Sequence, residues 1–222
     1  MNVISGPVLL SPLRIRGLSI ALFTVISAAL WIGFSADTYF ASDGSFYFAI
    51  ILDNATFTHV SPSRAHAEYL TQWPLVLAVR SGVTDLNALE IFFGLGVWCP
   101  WILSFAISLY ATRERPALIF FFLISMVSLN LSSWCLIYGE HLTLLLLVWP
   151  IFYFGIMRRR LTFLEQLLTA LLLVAHLKLY ETALVSGVIF TFIFAFRSWL
   201  EKNPRERWGS GVLAGLALAS VV

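Results

Sequence analysis

The chain has 222 residues, of which 59% are apolar and only 12% charged, with a formal net charge of +2. That charged share is about half of what a water-soluble domain carries, and the apolar residues fall in long unbroken runs. A single soluble globule, a disulfide-stapled secreted domain and a disordered tail are therefore excluded. The sequence reads as all-α, a polytopic transmembrane helical bundle forming one integral membrane domain over residues 1–222. So small a net charge gives no reason to expect nucleic acid, and membrane lipids are the expected surroundings.

In chain order, the first predicted span is 17–36, which carries no charge and follows Arg14 and Arg16. At 1.5 Å per residue it is long enough for a hydrocarbon core of about 30 Å, and longer than the apolar region of a cleavable signal. It is read as a retained anchor. An outer loop over 37–87 follows, then spans at 88–110, 117–138, 142–157, 161–180 and 183–199, and an incomplete seventh at 211–222. The bundle thus has about six to seven spans, and the short seventh is expected to continue in a longer natural chain. Cys99 and Cys135 sit inside apolar runs as small hydrophobes. Pro100 and Pro150 are read as kinks. No zinc-like Cys/His spacing, phosphate-binding glycine loop or Gly-x-Ser-x-Gly nucleophile motif occurs.

The charges sort by side. Arg14, Arg16, Arg113, Arg115, Arg158, Arg159, Arg160, Arg197, Lys202, Arg205 and Arg207, 11 of the 14 basic residues, fall on the side of the N-terminus. Only Arg64, Arg80 and Lys178 fall on the other. Basic residues accumulate on the cytoplasmic side of membrane proteins, so the N-terminus is expected inside, in a cell inner (plasma) membrane. Eight of the 12 acidic residues, Asp37, Asp43, Asp53, Glu68, Asp85, Glu90, Glu140 and Glu181, run the opposite way. Glu165 lies about one turn into the fifth span on the inner side, too far from the outer group to share its chemistry.

The loop over 37–87 carries its own structure signals. Ser42 or Asp43 can cap a helix to about Asn54, with Phe48, Ile51, Leu52 and Ala55 on one side, short and apolar enough to lie in the outer interface. Ser61-Pro62 opens a second short piece bearing Arg64, His66, Glu68 and Tyr69. Thr71 to Arg80 is a third, with Gly82 as its stop, and Thr84 or Asp85 caps the next span.

Asp43-Gly44-Ser45-Phe46-Tyr47 and Gln72-Trp73-Pro74-Leu75, set in an outer loop after an N-in first span, resemble the polyprenyl-phosphate-sugar-dependent glycosyltransferases of the GT-C superfamily. The resemblance covers about residues 17 to 110, as far as an N-terminal part of such an enzyme. Gly44 stands where the family often has a second acidic residue, and Pro74 is single where it often has a pair. The resemblance implies an inverting transfer of sugar from a polyprenyl-phosphate donor to an extracytoplasmic glycan, lipid or protein, with Asp43 as the catalytic carboxylate and Asp37 as the second candidate base. Asp43 reads equally well as an N-cap. Such chemistry needs a carboxylate for the acceptor hydroxyl and a cation for the phosphate leaving group.

The remaining outer polar residues are the candidate substrate-binding set: Tyr47, Arg64, Glu68, Tyr69, Glu140, His141, His176, Lys178, Tyr180 and Glu181. His176 and Tyr180 share a helix face, and Lys178 and Glu181 are spaced to pair, although all of these also read as ordinary helix ends. Lys178, Arg64 or Arg80 could hold a lipid phosphate. His66, Glu68, Glu140, His141 and His176 could hold a divalent ion, but no fixed spacing calls for one. A transporter or flippase component and a non-catalytic membrane subunit are the alternative readings; the first expects charges at the bilayer midplane and internal repeats, neither of which is found in the sequence.

Overall fold

A chain this apolar satisfies its backbone most readily within helices, because each amide then bonds inside its own segment. The computed structural model describes residues 11–35, 43–58, 64–132, 140–158, 160–179 and 183–221, and among these every regular element is helical. In order they are α1 (Pro12–Ser35), α2 (Asp43–Asn54), α3 (Ala65–Arg80), α4 (Leu86–Ala111), α5 (Ile119–Ser132), α6 (Glu140–Phe152), α7 (Phe163–His176), α8 (Ala183–Leu200) and α9 (Pro204–Ala219). A 3-10 turn, Pro116–Leu118, leads into α5, and α6 continues as a π-turn, Tyr153–Met157. Among the described residues three helices are long and apolar enough to cross a membrane: α1 over Pro12–Ala29, α4 over Leu86–Ala111 and α8 over Ala183–Leu200. Large apolar side chains point outward along them, including Val25, Ile102, Leu103, Phe192 and Phe196. Two hydroxyls on α1 bond back within the helix, Ser19 to the carbonyl of Ile15 at 2.8 Å and Thr24 to that of Ile20 at 2.9 Å.

α4 is the spine. Its N-terminal half packs with α2 and α3 around Tyr47, Phe48, Ile51, Leu75, Leu89 and Phe93. Its middle joins α1 and α5 around Trp98, Trp101, Phe105 and Phe122. Its C-terminal end enters the largest cluster, with Ile107 and Ala111 beside Tyr153, Phe154, Leu173, Phe190 and Phe194.

Where the sequence divides 61–80 into two pieces, Ser61 and Pro62 lie outside the described residues, and one helix, α3, runs from Ala65 to Arg80 with Pro74 inside it. It ends as a Schellman motif: Gly82 takes φ 82°, its N–H donates to the Val79 carbonyl at 3.0 Å, and the Val83 N–H donates to the Ala78 carbonyl at 3.1 Å. Asp85 then caps α4 by accepting the Ala88 N–H at 3.0 Å. So short a connection makes the helices antiparallel neighbours, and α3 runs back along α4 instead of lying across its end. Their approach needs Gly96, where an added Cβ would stand 1.6 Å from the Thr71 carbonyl oxygen. The last helix also differs from the sequence pattern. Asn203 caps it through the Arg205 N–H at 3.1 Å and Pro204 opens it, so its polar first turn precedes the apolar run that begins at Gly211. α9 packs tightly along α8, with Gly187 in contact distance of Ala217 and Ser220.

Candidate functional site

The two ends of the bundle hold different polar side chains. At the loop end, α2 begins at Asp43, whose backbone alone is described. One turn on, Tyr47 is 3% exposed and packs with Phe48 and Ile51 against α3 and α4, so it supports the loop from within the core. Arg80 reaches back from the end of α3 and donates from Nε to the Ala55 carbonyl at 2.8 Å, tying the end of α2 to α3.

α3 carries a polar stripe into the interior. Glu68, Thr71 and Gln72 are buried, at spacings of three and four that put them on one side of the helix. Gln72 is well satisfied: its Oε1 accepts the Thr58 N–H at 2.9 Å and its Nε2 donates to the Thr58 hydroxyl. Tyr69 is exposed on another side and stands edge-on to Phe57, with ring centroids 4.8 Å apart. Arg64 is the half-buried residue at the start of α3.

The start of α3 meets the α7–α8 turn. The His66 N–H donates to the Lys178 carbonyl at 3.0 Å, which brings the Arg64–Glu68 region beside Lys178, an exposed side chain. His176, two residues before it, is fully buried, its Nε2 2.8 Å from the Ser186 hydroxyl and its ring edge-on to Phe190. It fastens α7 to α8 at this end. Of Glu140 and His141, at the start of α6, the backbone alone is described. Asp37, Tyr180 and Glu181 lie outside the described residues. Among the described residues no group of three His, Cys, Asp or Glu side chains gathers to hold a metal ion.

The opposite end has a centre that residue spacing does not reveal. Glu165, fully buried, accepts from Arg158 Nε at 3.1 Å and Nη2 at 2.8 Å, and from Arg113 Nη1 at 3.1 Å. Arg158 also pairs with Glu114. The other Glu165 oxygen accepts the Thr162 N–H at 2.8 Å, while the Thr162 hydroxyl accepts the Glu165 N–H at 3.3 Å, so the same residue closes the capping box that starts α7. Arg197 of α8 donates to the carbonyls of Gly155, at 3.3 Å, and of Arg158. Arg16 of α1 donates to the Arg113 carbonyl at 2.7 Å. The ends of α4, α6 and α8 and the starts of α1 and α7 are thereby tied together. The Thr162-x-x-Glu165 spacing announces the cap; its partners, Arg113 and Arg158, come from other connections and leave no mark in local sequence.

Comparison with family models, with curated proteins and with solved structures gives no match.

Proposed function

We propose that the chain is a membrane glycosyltransferase of the GT-C type, using a polyprenyl-phosphate-linked sugar at the loop end of the bundle, on the extracytoplasmic side of a cell inner membrane. The observation that carries this reading is the start of α2. The helix opens at Asp43, an acidic residue in the first turn of an apolar helix whose other side is buried against α3 and α4. A helix N-terminus favours a negative charge there.

In this reading Asp43 takes the proton of the acceptor hydroxyl as its oxygen attacks the sugar carbon, and the polyprenyl phosphate leaves from the opposite face, which inverts that carbon. Lys178 is the favoured partner for the leaving phosphate, because its backbone is tied to the start of α3 while its side chain is exposed; Arg80 is engaged with Ala55. Arg64 and Tyr69 at the start of α3, with Glu140 and His141 at the start of α6, remain the candidates for the sugar; Glu68 and His176 are fully buried and, like Tyr47, would support them from within the bundle. The donor's tail stays in lipid beside outward-facing apolar helices. The cytoplasmic N-terminus and six to seven crossings belong to the same proposal, supported by the gathering of Arg16, Arg113, Arg158 and Arg197 at one end.

The test is sugar transfer from a labelled polyprenyl-phosphate donor in membranes carrying the full chain. Asp43→Asn should lower the rate by about 10²- to 10⁴-fold, the usual worth of a general base, with the amount of protein in the membrane unchanged. Full activity in that variant refutes the assignment.

A further inference from the structure

We propose that a groove between α1 and α4, at the arginine-rich end of the bundle, binds one anionic phospholipid. The groove has a volume of about 600 Å³. α1 lines it with Leu13, Arg16, Gly17 and Ile20, and α4 with Ala106, Leu109, Tyr110 and Arg113. Each set follows the three-and-four spacing of one helix face. Because the helices run in opposite directions here, both arginines fall at the same end and the apolar residues follow them inward. The stacked rings of Phe23 and Phe105, their centroids 3.9 Å apart, join the same two helices one step deeper.

The two arginines are not equivalent. Arg113 is engaged, with Glu165 at 3.1 Å and its guanidinium 4.2 Å above the Tyr110 ring. Arg16 has no carboxylate partner among the described residues: one nitrogen donates to the Arg113 carbonyl at 2.7 Å, and its Nε is buried with no hydrogen-bond partner. A buried guanidinium N–H without an acceptor costs free energy that an anionic oxygen would recover. Gly17 keeps the middle of the groove open, since an added Cβ would meet nothing within 4 Å. A cation with a vacant donor at one end and an apolar trough behind it matches a phosphate headgroup joined to an acyl chain. A headgroup with its own cation, such as choline, would bring a like charge against Arg16. This inference rests on the helices lying in a bilayer, and is independent of sugar transfer.

Native mass spectrometry of the detergent-solubilised full chain tests it, with phosphatidylglycerol or phosphatidylcholine added in turn. Phosphatidylglycerol should be retained about tenfold more strongly than phosphatidylcholine, whose phosphate offers the same acceptor but whose choline sets a like charge against Arg16; a tenfold preference is about 1.4 kcal/mol. Arg16→Gln should reduce its retention to the phosphatidylcholine level. Gly17→Leu, which fills the trough and is the better helix former, should abolish it, as should Ala106→Leu from the facing wall. Circular dichroism checks that each variant is folded. Equal retention of the two lipids, retention of phosphatidylglycerol unchanged in both trough-filling variants, or its displacement by inorganic phosphate alone would each overturn the assignment.

Discussion

At the arginine-rich end, a fully buried Glu165 is shared by Arg113 and Arg158, and Arg197 and Arg16 tie further helix ends to the same place through backbone carbonyls. At the loop end the described side-chain contacts of Gln72 with Thr58 and of His176 with Ser186 are made by an amide, an imidazole and hydroxyls, with a buried Glu68 nearby on α3. The first kind of contact clamps the bundle, because removing any one charge strands the others in a poorly hydrated site. The second kind orders a loop at lower cost, with the side chains of Lys178 and Tyr69 exposed beside it. The clamped end accounts for how the helices are held; the loop end is the one to which the proposed sugar transfer is assigned.

The largest effect should follow from breaking the clamp. Glu165→Leu leaves Arg113 and Arg158 without their shared carboxylate and should cost about 3–5 kcal/mol in the unfolding of the detergent-solubilised chain. A loss under about 1 kcal/mol would mean that the clamp holds nothing. Second is Gly96→Ala on the loop side, which must push α3 off α4 at the Thr71 carbonyl and should cost about 1–3 kcal/mol, with the Thr58–Gln72 contact loosened in hydrogen exchange. Third, Thr162→Ala removes the cap of α7 but keeps the ion pairs and should cost about 1 kcal/mol in the same unfolding measurement, too little to confuse with loss of Glu165. Smallest is Arg160→Gln. Its contact with Glu206 is 4.0 Å long and its side chain is 77% exposed, so stability should change by less than about 0.5 kcal/mol. A large loss there would extend the clamp to the surface.

Much of the fold was legible because it is local. Composition alone gives a helical membrane bundle, Gly82 and Asp85 mark the turn between α3 and α4, and Thr162 and Glu165 mark the start of α7. Ser61-Pro62 and Pro74 made 61–80 look broken, but the packing of α3 on Gly96 carries one helix through Pro74. Tyr47 was read for chemistry, yet Tyr47 and Ile51 lie one turn apart on the same helix face, and both are core residues. The Glu165 centre was not legible, since Arg113 stands 52 residues away and only tertiary structure brings the two together. Of the candidate site, Arg64, Glu68, Tyr69, His176 and Lys178 have described positions and Asp43 a described backbone; what they bind is a matter of chemistry that spacing does not encode.

The account turns on the two ends facing opposite sides of a membrane, with the loop outside and the clamp inside. Sided labelling with a membrane-impermeant maleimide measures this directly, using Asp53→Cys on α2 and Arg160→Cys before α7, both exposed positions, in a chain with Cys99 and Cys135 replaced by alanine. The account predicts that Asp53→Cys reacts in intact cells and that Arg160→Cys reacts only after the membrane is opened. Reaction of both from the same side, or the reverse order, would contradict it.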